Sequence, residues 1–255
     1  MADQQPAGKA GERLFARYAY APNQLGYCGP ADTAALAELA STGQTEADVR
    51  SIASRFSGAW PYLCVLAELA GIADPLDERV VRAYWTGSSL LDDVDRPRFW
   101  RNLLDRIGAA GAGRYWTHLK PALIAEAMPT HGFHVFGVYP WTRFLGRGMD
   151  EQPLSVLDNC RIIWGTVLSR TGDQVEVMCQ GLAWDGQSLT LSEPSARVLD
   201  VWADGYGAVP DVAVNDEVAL HWGRLCGRLR PDQIEALADS TNRQLHVTNQ
   251  RLARV

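Results

Sequence analysis

The spacing of hydrophobic and polar residues divides the chain into two parts with different periods. From residue 12 to about residue 128, apolar residues recur every three or four positions, which is typical of helices packed by one face. Residues that are typical of helix starts, either polar caps or prolines, precede these runs at Thr45–Asp48, Pro61, Asp77 and Asp95–Pro97. A further helix is expected from about Arg114, with an interruption at Pro121. We therefore predict an all-α first half.

The period changes to two after Arg161. The expected strands are 161–169, 175–179, 182–191, 197–202 and 217–222, with turns at Thr171–Asp173, Asp185–Gly186 and Asn215–Asp216. Short strands at this spacing are typical of a small closed barrel. A last helix is expected from Pro231, because Ile234, Leu237 and Leu245 follow at helical spacing.

The segment between the two parts, residues 130–153, is expected to be a hinge that ends in a linker at Gly146–Pro153. The predicted fold class is therefore α+β. We expect a helical domain over residues 1–150 and a small β-barrel with a C-terminal helix over residues 151–255.

Composition narrows the function only slightly. Of the 255 residues, 47% are hydrophobic and 21% are charged, which excludes a disordered chain, a collagen and a coiled-coil rod. The net charge of −6 argues against binding to nucleic acid and to membrane surfaces. No apolar run approaches the ~18 residues of a membrane span, and the N-terminus is polar, so we expect a cytoplasmic protein.

The cysteines and histidines are the candidates for chemistry. The five cysteines are widely spaced, so thiols rather than disulfides are expected, and the lack of a CxxC pair argues against a zinc knuckle. The usual nucleotide-binding loops, the HExxH motif and the GxSxG motif are missing. The remaining soft or imidazole groups suit iron, zinc or copper, and they are Cys28, His131, His134, Cys160 and His221.

Each candidate also has a purely structural interpretation. Cys160 precedes a strand, where a thiol is either exposed and reactive or a small buried hydrophobe. His221 ends an apolar strand, where a buried structural histidine is common. Cys28 lies just ahead of a helix start, where the helix dipole would favour the thiolate, or else it packs in a tight turn. His134, and less strongly His131, are candidates for a ligand or an acid–base group within an aromatic segment.

The order of motifs in the C-terminal part resembles the HypC/HupF family of hydrogenase maturation chaperones. The segment Cys160-Arg-Ile-Ile-Trp-Gly-Thr-Val167 is similar to the Met-Cys opening of that family. The segment Val214-Asn-Asp-Glu-Val-Ala-Leu-His221-Trp-Gly is similar to its histidine motif, and the helix from Pro231 resembles its closing helix. The resemblance covers about residues 158–250. Trp164 stands where the family has proline, and Cys160 is internal rather than near the N-terminus.

The resemblance implies a specific function. Chaperones of this family carry an iron with cyanide and carbon monoxide ligands, and they deliver it with a scaffold partner to the large subunit of nickel–iron hydrogenase. The residues that correspond to the family's cysteine and histidine are Cys160 and His221. The expected cofactor is therefore iron, and the expected partners are a maturation scaffold protein or the hydrogenase large subunit.

The whole chain also resembles an uncharacterised family of actinobacterial proteins associated with hydrogenase gene clusters. The segments that carry this resemblance are Phe15–Tyr20, Gly26–Asp32 and His134–Trp141. Our leading hypothesis is a chaperone rather than an enzyme. The alternatives are an enzyme whose helical half makes or handles a diatomic ligand of the iron with Cys28 and His134, and a plain interaction scaffold with buried cysteines.

Overall fold

The first half of the chain is helical, as predicted. The computed structural model describes residues 7–31, 33–109 and 121–254. The α-helices of this half are α1 (Ala7–Gln24), α2 (Thr33–Thr42), α3 (Val49–Ser54), α4 (Trp60–Leu69), α5 (Glu78–Thr86) and α6 (Arg96–Ala109), and short 3₁₀ turns cover Ser89–Leu91 and Pro121–Ala125. The helix start expected near Arg114 lies outside the described residues.

Aspartates begin several of these helices. Asp48 accepts a hydrogen bond from the Ser51 amide at 3.0 Å, and Asp77 accepts one from the Arg79 amide at 2.9 Å. The carboxylates satisfy amides that have no partner inside the helix. The signal at Thr45–Asp48 predicts Thr45 as the cap residue, and this is wrong, since Asp48 is the cap and the Thr45 hydroxyl donates to Glu38 instead.

The segment expected to be a hinge is mostly helical. It contains α7 (His131–Phe133), a π-helical turn over His134–Val138, a 3₁₀ turn over Pro140–Phe144 and then α8 (Glu151–Cys160). The linker expected over Gly146–Pro153 is therefore shorter than predicted, because α8 begins at Glu151. Pro153 is compatible with this helix, since a proline in the first turn sacrifices no internal hydrogen bond.

The strands form one antiparallel sheet that is open, so the predicted closed barrel is wrong. They are β1 (Ile163–Thr171), β2 (Gln174–Trp184), β3 (Leu189–Asp200), β4 (Glu217–His221) and β5 (Arg224–Arg228). Their order is β3-β2-β1-β4-β5, and within the described residues β3 and β5 are the two edges.

Among the described residues the number of strands is five, as predicted, but the bounds of several strands differ for a simple reason. The stretches 175–179 and 182–191 were expected to be separate strands, but β2 runs through Gln180 to Trp184 with an irregularity between Gln180 and Leu182. Likewise 197–202 is not separate, since β3 is one continuous strand from Leu189 to Asp200. The alternation of burial breaks at these points, so a single bent strand looks like two short ones.

The sheet and the helices share a core. The final helix α9 (Pro231–Leu252) is present as predicted, with Pro231 in its first turn. One cluster of buried apolar side chains includes Phe15 and Tyr84 from the helical half and Val167 and Leu220 from the sheet. None of the helices in the described part of the chain combines the length and apolar character that a membrane span requires.

A buried ion pair ties α9 to the segment that precedes α7. The Glu126 carboxylate is 4% exposed and lies 2.6 Å from the Arg251 guanidinium. It also accepts hydrogen bonds from Gln244 and Thr248 of α9. Arg251 donates in addition to the Phe136 carbonyl at 2.7 Å, within the π-helical turn. Burial raises the pKa of Glu126, and Arg251 opposes this shift.

The substitution Arg251→Met is expected to destabilise the protein by about 2–4 kcal/mol, because it leaves a buried carboxylate without its cation. The double variant Glu126→Gln/Arg251→Met should lose less stability than the single variant, since no charge is then stranded. Urea unfolding measures both, with the exposed Arg254→Met as a control that should change stability little. A double variant as unstable as Arg251→Met would contradict this role for the pair.

Candidate metal centre

Three buried side chains from three different elements converge at one point. His131, Cys160 and His221 each present one potential ligand atom, and these atoms all lie within 4.8 Å of one another. The Cys160 sulfur is 3.9 Å from Nε2 of His131. The two imidazole centroids are 5.1 Å apart. Two imidazoles and a thiol at this separation form a set that can close on a single metal ion.

The sheet register brings Cys160 and His221 together. Strands β1 and β4 are antiparallel, and Ile163 pairs with Leu220. His221 therefore lies one residue beyond the last pair, beside the chain that leads back to Cys160. The backbone amide of Trp222 also donates to the Asn159 carbonyl at 2.9 Å, which fixes the end of α8 against the β4–β5 turn.

The imidazole of His221 has a defined orientation. Its Nδ1 lies 2.7 Å from the Tyr18 carbonyl oxygen, which can only accept a hydrogen bond, so Nδ1 carries the proton. Its Nε2 is buried and has no hydrogen-bond partner among the described residues. Histidines that bind metals commonly have this arrangement, in which Nδ1–H donates to a backbone carbonyl and Nε2 is left to bind the ion.

His131 is held at both nitrogens. Its Nε2 lies 2.7 Å from the Cys160 carbonyl oxygen, and its Nδ1 lies 3.2 Å from the Tyr84 hydroxyl. The Tyr84 hydroxyl is also 3.0 Å from the Gly58 carbonyl. The Thr130 side chain caps the helix that begins at His131, and so it sets where the ring enters the core.

Burial controls the protonation of these groups. It lowers the pKa of His221 to about 4, against the opposing effect of the Tyr18 and Cys160 carbonyls. It also lowers the pKa of His131 well below its usual value, with help from the neighbouring His221 and His134. It raises the pKa of the Cys160 thiol to about 12. At neutral pH the imidazoles are neutral and ready to act as ligands, while the thiol keeps its proton until a cation replaces it.

A cavity of about 160 Å³ opens beside the three residues. The other two candidates from the sequence, Cys28 and His134, line it as well. Gly58 contributes backbone to the same wall, and a side-chain carbon there would lie 2.8 Å from Nε2 of His134. The structure therefore brings all four predicted site residues to one cavity, together with His131.

The expectation that a helix dipole makes Cys28 a thiolate is wrong. Helix α2 begins only at Thr33, and burial raises the pKa of Cys28 to about 11. Backbone N–H groups of Gly58 and Gly29 at the sulfur partly offset that shift. The buried Asn23 side chain holds the turn by donating to the Cys28 carbonyl at 2.9 Å. Cys28 is therefore a thiol that is held in position by its turn and is mainly protonated at neutral pH.

His134 lines the cavity and contacts Tyr62. The Tyr62 hydroxyl is 3.4 Å from Nδ1 of His134, and burial lowers the pKa of this histidine to about 4. Its ring is 6.2 Å from that of His131, centroid to centroid, with 25° between the planes. His134 is therefore a neutral imidazole that faces the same space as the cluster.

Trp222 encloses the cysteine side of the site. Its indole stacks on Tyr27 with centroids 4.2 Å apart. Trp222 and Gly223 both have positive φ, which a two-residue hairpin of this type requires. Tyr27 is 42% exposed, so this aromatic pair forms the outer edge of the site.

Sequence reasoning underrated His131 and missed Tyr84 and Trp222. His131 stands three residues from His134, a spacing that on a helix places both on one side. The π-helical turn at His134–Val138 obscured that signal, since the aromatic run looked extended. No local pattern marks Tyr84, whose hydroxyl acts across 47 residues of chain.

Comparison with known proteins adds a family but no function. A search of curated proteins and a search of solved structures found no match. A family model described as a family of unknown function, DUF6390, matches residues 7–255. Since that match covers nearly the whole chain, this protein belongs to the DUF6390 family.

Proposed function

We propose that this protein is a maturation factor of nickel–iron hydrogenase that holds iron through His131, Cys160 and His221. The observation that carries the proposal is the convergence of three ligand atoms within 4.8 Å in a buried site, one of them an unpartnered imidazole nitrogen. The iron would bear cyanide and carbon monoxide ligands, and the recipients would be a scaffold protein or the hydrogenase large subunit. This work would take place in the cytoplasm.

The donor set supports this choice of metal. A thiolate with two neutral imidazoles suits iron, zinc or copper and does not suit magnesium or calcium. Iron is favoured among these by the resemblance of residues 158–250 to the HypC/HupF chaperones. That resemblance selected Cys160 and His221 from the sequence, and the two lie in one cluster. His131 is the additional ligand that we propose for this chain.

The burial of the site has a consequence for delivery. Cys160 and His221 are 7% and 0% exposed, so a recipient protein cannot touch them directly. The open side is the cavity next to Cys28 and Tyr27. We therefore propose that cargo enters and leaves by this side.

The cavity also favours a second candidate function, an enzyme that makes or handles a diatomic ligand of the iron. Cys28 and His134 line the same cavity of about 160 Å³ as the cluster, and such an activity requires a pocket of this kind. The two functions differ in turnover. A carrier retains its cargo until a partner accepts it, whereas an enzyme releases product repeatedly and loses turnover when Cys28 or His134 is replaced.

Infrared spectroscopy tests the proposed function. The protein is purified without oxygen from a host that is assembling hydrogenase, and the region of metal-bound carbon monoxide and cyanide stretches is recorded. We expect bands in the native protein and none in Cys160→Ser or His221→Gln. Cys64→Ser is the matched control, because Cys64 is a buried thiol outside the cluster. A native protein with neither bands nor iron would contradict the carrier.

Binding of a single metal ion tests the cluster without any hydrogenase. Anaerobic titration with Co²⁺ should show one equivalent bound, with the intense near-ultraviolet absorption of a thiolate–cobalt bond. His131→Gln, Cys160→Ser and His221→Gln should each weaken binding by more than about 100-fold, since each removes a direct ligand rather than an outer one. Cys64→Ser should bind as the native protein does. Equal binding by His131→Gln would remove that residue from the ligand set.

Tyr84 would set the tautomer of His131 in the metal-bound state. Without metal, the single Tyr84 proton faces two acceptors, the Gly58 carbonyl and Nδ1 of His131. For Nε2 of His131 to bind a cation, the ring proton must sit on Nδ1 instead. Nδ1–H then donates to the Tyr84 oxygen, and the Tyr84 proton goes to Gly58, so that each proton has one acceptor.

Tyr84→Phe is accordingly expected to weaken Co²⁺ binding by about 10- to 100-fold, the usual effect of losing the outer partner of a histidine ligand. The control is Tyr20→Phe, which removes another largely buried hydroxyl that donates to a backbone carbonyl, that of Asp204. If both variants weaken binding equally, the effect is one of general stability, and the tautomer argument fails.

A further inference from the structure

We propose that Cys28 is a relay ligand, a thiol that binds the metal ion in passage between solvent and the cluster of His131, Cys160 and His221 but does not hold it at rest. The inference rests on the proposed metal site and names the residue through which that site is loaded and emptied. It follows from the place of Cys28 outside the cluster, from the contacts that fix it there and from the opening of the cavity beside it.

Cys28 is close to the cluster but does not belong to it. It lines the cavity that His131, Cys160 and His221 also line. It is not a member of the group of ligand atoms that all lie within 4.8 Å of one another. Ligand atoms on one tetrahedral ion are about 3.3–3.8 Å apart, given metal–ligand bonds of about 2.0–2.3 Å. A closed site that included Cys28 would require it to move, whereas its thiol can bind an ion that has not yet reached the other three.

The cavity opens on the side of Cys28. All five cysteines lie in the described residues, and Cys28 is the one of intermediate exposure, whereas the other four are buried. Its neighbour Tyr27 lines the same cavity and is 42% exposed, so the turn that carries Cys28 reaches the surface. An ion that enters by this side therefore meets Cys28 before it meets the buried cluster.

Helix α1 fixes Cys28 relative to the cluster. The Cys28 amide donates a hydrogen bond to the Pro22 carbonyl at 3.3 Å, and the Asn23 side chain donates one to the Cys28 carbonyl at 2.9 Å. One helical turn earlier, the Tyr18 carbonyl accepts a hydrogen bond from Nδ1 of His221 at 2.7 Å. The same helix therefore sets the positions of the relay thiol and of one of the three ligands.

A second path of hydrogen bonds joins Cys28 to His131. The backbone N–H groups of Gly58 and Gly29 donate to the Cys28 sulfur. The Gly58 carbonyl is 3.0 Å from the Tyr84 hydroxyl, which lies 3.2 Å from Nδ1 of His131. Donation from backbone amides stabilises a thiolate. The sulfur of Cys28 can therefore exchange its proton for a cation at a lower cost than an equally buried thiol without these amides.

The transfer is a ligand exchange without oxidation or reduction. On entry, the Cys28 sulfur loses its proton to water and binds the hydrated ion, which gives up a water molecule. The Cys160 thiol then loses its proton and bonds to the metal, and the Cys28–metal bond breaks as that sulfur takes up a proton. The net result is one metal ion bound and one proton released. Delivery reverses these steps and takes up one proton.

Rates of Co²⁺ exchange test the relay separately from the affinity of the site. Stopped-flow measurements follow entry by the growth of thiolate–cobalt absorption and exit by its loss in excess EDTA. Cys28→Ser should slow both by about tenfold or more and leave the equilibrium affinity unchanged, since a relay lowers the same barrier in both directions. Cys28→Ala should do the same, although it widens the passage. Cys64→Ser is the matched control, because Cys64 is a buried thiol outside the cluster.

A second measurement detects the bond between Cys28 and the metal itself. The variant Cys160→Ser lacks the resident thiolate, so Co²⁺ at high concentration should give a weak thiolate–cobalt absorption that comes from Cys28. The double variant Cys28→Ser/Cys160→Ser should give none. Absence of this absorption in the single variant would contradict the relay.

The other outcomes separate the relay from the proposed function. Tight Co²⁺ binding with native exchange rates in Cys28→Ser would overturn the relay and leave the metal site intact. Faster exchange in Cys28→Ala would make Cys28 a steric gate and would also overturn it. Loss of affinity in Cys28→Ser, with two protons released per ion by the native protein, would identify a permanent fourth ligand instead of a relay. Failure of the native protein to bind Co²⁺ at all would refute the metal site itself.

Discussion

The antiparallel pairing of β1 with β4 is the constraint on which the site depends. It places Ile163 opposite Leu220, and so it brings the end of α8 next to His221. The hydrogen bond from the Trp222 amide to the Asn159 carbonyl then fixes that contact. A shift of register by one residue would turn His221 to the other face of the sheet. Cys160 and His221 can meet only because this ladder is in its present register.

The helical half completes the site rather than standing apart from it. His131 comes from α7, its partner Tyr84 from α5, and the Tyr18 carbonyl that orients His221 from α1. The ion pair between Glu126 and Arg251 holds the turn after α7 against the last helix, and that turn carries His134. Each half of the chain therefore supplies side chains or backbone carbonyls to the site, and the shared core holds the two halves together.

The sequence was informative where the chemistry is local. The helix cap at Asp77, the change of period near Arg161 and the final helix from Pro231 could all be predicted, because each depends on a few adjacent residues. Whether the sheet closes into a barrel could not be predicted. The irregularity between β2 and β3 is not visible in the sequence, and the pattern of strands does not show which edges meet. The four candidate residues were found, but their common cavity was not, because it depends on contacts across more than 100 residues.

The protonation of the isolated protein explains why a site of this kind would discriminate among cations. Burial keeps Cys160 as a thiol and the imidazoles neutral, so the metal-free pocket has no charge to attract a hard, strongly hydrated ion. A cation must displace the thiol proton, and that exchange favours metals that bond strongly to sulfur. Selectivity for a soft metal would then follow from one feature of the fold, a histidine–cysteine cluster in a cavity that no carboxylate lines among the described residues.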